Sequence, residues 1–111
     1  MNPIHSLLRA IEQSCAVHLL LKDGSLVRGF RPHDLIVRGP VERGILVVRG
    51  MVDPGGGQSP KDRSLPLGDI GGVFSAGPRH RFTPDPSFLL RNPVPRGWTA
   101  LRPRLPEGAH S

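Results

Sequence analysis

A chain of 111 residues with 37% apolar content can bury one modest core and no second one. Fifteen Lys and Arg against nine Asp and Glu give a net charge of +6, which favours anionic partners such as nucleic acid, nucleotides or phosphorylated metabolites. Cys15 is the single cysteine, which excludes an internal disulfide, and no apolar run is long enough to cross a bilayer.

Asn2 followed by Pro3 reads as a helix start, an N-cap and then a proline at the first helical position. Ile4, Leu7, Leu8 and Ile11 follow at helical spacing, and the helix is expected to end near Ser14. From Ala16 the period changes to two. Val17, Leu19 and Leu21 predict a strand, and Asp23-Gly24 predicts a hairpin into a second strand over Leu26 to Arg31. Pro32 lacks the ladder donor, so a bend or bulge belongs beside it. Leu35 to Val37 resume extended structure, "RGPVERG" turns the chain, and Gly44 to Val52 form the most β-rich run.

Asp53 to Asp62 reads as a glycine-rich loop, without the strand-to-helix context of a phosphate loop. "RSLPLGDIGGVFS" predicts a short strand, a turn near Leu67–Asp69 and a last strand ending near Phe74. The proline-studded remainder is expected to wrap the body through Phe82, Phe88, Leu89 and Trp98, and to fray near its end. The sum is a mainly β chain: a small five-stranded Sm-like or SH3-like barrel, capped at one opening by the helix. Residues 1–90 form the domain and residues 91–111 a Pro/Arg-rich C-terminal tail.

Several residues carry a likeness to the WYL domain, an Sm-like barrel of bacterial transcription regulators and phage-defence systems. That family opens with a short helix and a strand, then an arginine ahead of a Val-x-Pro element. Arg28, Phe30 and Pro32 hold that spacing, followed by His33, Asp34 and Leu35. Gly44, Ile45 and Leu46 occupy the place of the namesake Trp-Tyr-Leu, keeping the leucine. In "RSLPLGDI", Arg63, Leu67 and Ile70 match a later family element, with Pro66 and Asp69 where two further arginines would stand. Arg81, Phe82, Pro86 and Phe88 fit the family's closing segment. The chain thus resembles a divergent, stand-alone WYL domain. It is also similar to the Hfq family of Sm-like RNA chaperones at "VHLLLKDGSLVRG", although that family's final Tyr-Lys-His signature is not found.

The WYL resemblance implies a basic pocket for a nucleotide, a nucleic-acid segment or another anionic signal, with Arg28 and Arg63 as the arginines that carry over best. Arg31, His33 and Arg49 complete the candidate set. Guanidinium groups suit this role because their planar fork binds phosphate bidentately. The competing reading is a solvated exterior in a chain whose composition reflects GC-rich coding, since Lys22 and Lys61 are the only lysines. His33 and Asp34 are adjacent in a strand, point to opposite faces, and so form no catalytic dyad. His80 between Arg79 and Arg81 reads as a basic surface cluster. No catalytic residue, metal site or cofactor is expected, so an enzyme is not. Phe30, Phe74, Phe82 and Phe88 read as core or clamp residues. Trp98 is open between stacking on a base or partner and docking on its own barrel.

Without the helix-turn-helix usual in WYL regulators, gene control is expected to run through a partner regulatory protein or bound nucleic acid. A homo-oligomer is expected, with no membrane, in the cytoplasm. An Sm-like RNA-binding oligomer and a structural protein-interaction module are the alternatives.

Overall fold

The computed structural model describes residues 3–77 and 79–101. The Asn2 cap and residues 102–111 of the expected tail lie outside the described residues.

Helix α1 spans Pro3–Gln13. It ends on Ser14, whose φ of 52° is left-handed. The Ser14 and Cys15 amides then donate back to the Ile11 and Ala10 carbonyls, at 3.2 and 3.0 Å, which satisfies carbonyls the helix end would orphan. Strand β1 covers Val17–Leu21. The Asp-Gly turn closes with Gly24 at φ 91° and with the Asp23 carboxylate accepting from the Ser25 amide. It leads into β2, Leu26–Arg38, a strand of 13 residues. Strands β3 (Ile45–Val52) and β4 (Lys61–Pro66), a 3-10 turn over Leu67–Asp69 and β5 (Ile70–Ser75) follow.

All pairings are antiparallel, in the order β4-β3-β2-β1-β5. β2 is the shared spine. Its first part pairs with β1, and from Arg31 onward it pairs with β3. Two irregularities bend it. Arg28 and Gly29 together oppose His18, with Gly29 at φ 64°, and His33 is an extra residue between the Pro32–Gly50 and Asp34–Arg49 pairs. The predicted bend at Pro32 is therefore a bulge at the next residue. At this bend β3 crosses close to β2, and a Cβ on Gly50 would fall on the Arg31 carbonyl oxygen and within 2.9 Å of Phe30 Cζ.

The inner face packs on α1. Leu7, Leu19, Phe30, Leu35 and Val48 are fully buried, joined by Ala10, Val17, Val27, Leu65, Leu67 and Ile70. Burying each large side chain contributes roughly 1.5–3 kcal/mol before entropy.

The chain beyond β5 returns across the outer face of β2 and β3. A four-residue helix α2, Phe88–Arg91, seats Phe88 at 2% exposure, and β6, Thr99–Leu101, pairs with Val37 to Leu35 of β2. The described sheet thus has six strands where five were expected, and the sixth lies in the stretch read as tail. Leu89, expected to clamp, is exposed. Among the described residues no helix is long and apolar enough to cross a membrane.

Candidate functional site: an arginine-lined groove

The returning segment first runs beside the start of β1. Ala16 donates to the His80 carbonyl at 2.8 Å, Phe82 donates to Ser14 at 2.9 Å, and Arg81 bridges Cys15. These backbone bonds hold Arg79, His80 and Arg81 next to the outward-facing residues of the β1–β2 bulge. The result is a groove of about 380 Å³ lined by His18, Arg28, Gly29, Arg31, Arg79, His80, Arg81 and Phe82, with Asp53 as its one carboxylate. The bulge matters to its shape. The Gly29 amide donates to His18 Nδ1 at 3.1 Å, which fixes the imidazole beside Arg28.

The arginines divide by partner. Arg49 is 5% exposed and donates through Nε and Nη2 to the two Asp34 oxygens at 2.8 and 2.5 Å, and through Nη1 to the Pro93 carbonyl at 3.1 Å. Arg91 holds Asp62 bidentately, both bonds at 3.0 Å, and Asp85 at 2.9 Å. The Arg91 bonds to Asp62, with one from Asn92, pull the Asp62 carboxyl down to about 2, and the Asp62 and Asp85 carboxylates raise the Arg91 guanidinium. Asp85 is lowered by the Ser87 amide first and Arg91 second. By contrast, Arg28, Arg31, Arg79 and Arg81 enter no ion pair among the described residues. Their charge is available to an incoming anion.

Of the sequence candidates, Arg28 and Arg31 share this groove. Arg49 is held by Asp34 inside the sheet. The His33 bulge explains it: without the extra residue Arg49 would oppose His33, and with it Arg49 opposes Asp34. His33 is also engaged, half-buried under the returning segment and stacked on Phe88 at 4.5 Å and Phe82 at 5.3 Å. Its Nε2 accepts the Asp85 amide at 3.1 Å, and its Nδ1 lies 2.9 Å from the Arg31 carbonyl. That pairing selects the neutral tautomer with the proton on Nδ1. Arg63 is exposed on β4 opposite Gly50, in the alternation of the core-facing Leu65, and does not line the groove. The structure therefore does not bring Arg28 and Arg63 together.

Arg79, His80 and Arg81 were legible as a cluster but not as part of a site, because only the long-range pairing with residues 14–16 places them. Phe74 corrects an expectation: it is 53% exposed rather than core or clamp. Trp98 is half-buried. Among the described residues no three His, Cys, Asp or Glu side chains gather to hold a metal. No protein-family model, curated protein or solved structure matches this chain.

Proposed function

We propose that this chain is a WYL-like regulatory module whose groove binds an anionic ligand, a nucleotide or a segment of single-stranded nucleic acid. It acts through a partner in transcriptional or defence regulation rather than as an enzyme. The observation that carries the reading is that Arg28, Arg31, Arg79 and Arg81, beside one another, enter no ion pair among the described residues, while Arg49 and Arg91 are matched with carboxylates. Four like charges on one groove repel, and a bound phosphate relieves that repulsion through charge-assisted, bidentate bonds. The bent β2, with α1 against its inner face, supports an Sm-like or SH3-like barrel as the scaffold.

The test is a thermal-shift and titration series with nucleotides and short oligonucleotides. Ligand should raise the melting temperature of the wild type. Arg28→Ala with Arg79→Ala should abolish the rise and lower the salt slope of binding by about one for each phosphate no longer neutralised. A wild type that melts identically with and without every anion would sink the reading.

A second reading is favoured by one observation. The path β4-β3-β2-β1-β5 leaves β4 and β5 with an unpaired edge each among the described residues, and such edges template pairing between chains. This suits an Sm-like RNA-binding homo-oligomer. Light scattering on the eluted protein separates the two, because a monomeric mass removes the ring.

A further inference from the structure

The outer face of the β5–β1–β2 part of the sheet carries an aromatic platform directly beside the groove. Phe74 of β5 pairs with His18 of β1, and His18 faces the Arg28–Gly29 bulge of β2. Phe74, His18 and Arg28 therefore form one transverse row, aromatic to imidazole to guanidinium, spanning about 10 Å across two strand spacings. They line, with Leu26, a second depression of about 300 Å³ that shares His18 and Arg28 with the arginine groove. The two hollows adjoin along His18 and Arg28.

The Phe74 ring is held as well as exposed. A Cβ on Gly72 would come within 3.1 Å of Phe74 Cε2, so the ring lies over the bare face of that glycine and leaves its other side to solvent. Leu20 and Leu26, at 39% and 46% exposure, extend the apolar area. Phe74 is the most exposed aromatic among the described residues, since Phe30 and Phe88 are buried and Phe82 and Trp98 half-buried.

We infer that Phe74 is a base-stacking subsite and that the ligand of the groove is a single-stranded nucleic-acid segment. This rests on the groove reading above and commits it to one ligand class. One base stacks on Phe74 against Leu26, and the flanking phosphates run along Arg28, Arg31, Arg79 and Arg81. Duplex is disfavoured because its bases are stacked on each other and present no face to a ring. An apolar peptide is disfavoured by the four adjacent cations, which enter no ion pair among the described residues. A lone phosphate monoester cannot use four guanidinium forks, whereas successive phosphates of a strand can.

The test is fluorescence anisotropy on the full chain with labelled oligo-dT and oligo-rU about ten nucleotides long, tripolyphosphate and poly-glutamate serving as competitors. Phe74→Ala should weaken oligonucleotide binding about 5- to 150-fold and leave tripolyphosphate competition unchanged. Phe74→Trp should retain affinity and show quenched indole emission on binding. The DNA and RNA arms identify the sugar, and the Phe74 dependence in either supports the subsite. If the oligonucleotides bind but Phe74→Ala loses no affinity, or if poly-glutamate binds as tightly, the inference is overturned while the anion groove stands. If neither oligonucleotide nor tripolyphosphate binds, both readings fall. Melting curves of the variants should match the wild type, because Phe74 lies outside the core.

Discussion

Replacing Arg49 with alanine tests the division of the arginines at its most demanding point. The side chains of Arg49 and Asp34 are only 7% and 12% exposed. Truncation removes two hydrogen bonds to Asp34 and one to the Pro93 carbonyl, and strands a carboxylate that water barely reaches. Breaking one partner of such a buried pair typically costs about 3–5 kcal/mol. A chain of 111 residues has roughly 5–16 kcal/mol of total stability, so the loss is a large fraction of it. With an unfolding entropy near 2.1 cal/mol/K per residue, the melting temperature should fall by roughly 13–21 °C. The assay is urea denaturation of Arg49→Ala, Asp34→Ala and the double variant. The double variant should be less destabilised than the sum of the singles, because removing both partners leaves no stranded charge. Arg28→Ala, at an exposed position, should stay within about 0.5 kcal/mol of wild type. If Arg49→Ala is as mild as Arg28→Ala, the claim that Arg49 serves the fold rather than a ligand is wrong.

Gly50→Ala should destabilise by about 3 kcal/mol or more, at or above the usual range for overpacking, because its methyl meets backbone rather than a yielding side chain; a denaturation midpoint close to wild type would mean that β3 and β2 cross less closely than described. The Asp62–Arg91 pair should be acid-sensitive. The folded carboxyl titrates at about 2 against an ordinary 3.8, so its contribution is complete above about pH 4 and is lost as pH falls through about 2. The pair is partly open to solvent, which screens it and keeps its contribution small. The stability gap between wild type and Asp62→Asn should therefore narrow as pH falls from about 5 to about 2, and a constant gap would refute the assignment.

What the sequence disclosed and what it hid follow from the range of each interaction. The α1 stripe, the Asp23-Gly24 hairpin and the break beside Pro32 are local signals, and the structure carries each of them. β6 is three residues, Thr99–Leu101, too short for a two-residue period to register. Its existence depends on the free edge of β2 around Ile36, which no local pattern announces. The site divides the same way. Arg28 was visible through the family resemblance and Arg31 through its place on the same predicted strand, but their shared groove was not legible: they stand three positions apart, and a strict two-residue period would send them to opposite faces without the bulge at Arg28–Gly29. Arg49 left the candidate set because a one-residue bulge at His33 placed Asp34 opposite it. Arg63 was carried by resemblance alone, and its alternation with Leu65 turns it elsewhere. Phe74 defeated the reading of all four phenylalanines as core or clamp residues, because this one covers a glycine instead of the core.

The returning segment joins stability to binding. Its first residues, Arg79 to Arg81, supply half of the groove's guanidinium groups. Its later residues anchor it to the sheet: the Asp85 amide on His33, Arg91 on Asp62, and the Pro93 carbonyl on Arg49. None of these anchors lines the groove, but each reduces the freedom of the segment that does. A ligand that met Arg79 and Arg81 on a loose strand would have to order that stretch of backbone on binding, at about 1–2 kcal/mol per residue. Docked beside residues 14–16, their backbone is already held on the groove that Arg28 and Arg31 line. The two arginine populations are thus coupled through the same stretch of chain: those matched with carboxylates hold it against the sheet, and those without ion pairs are presented by it.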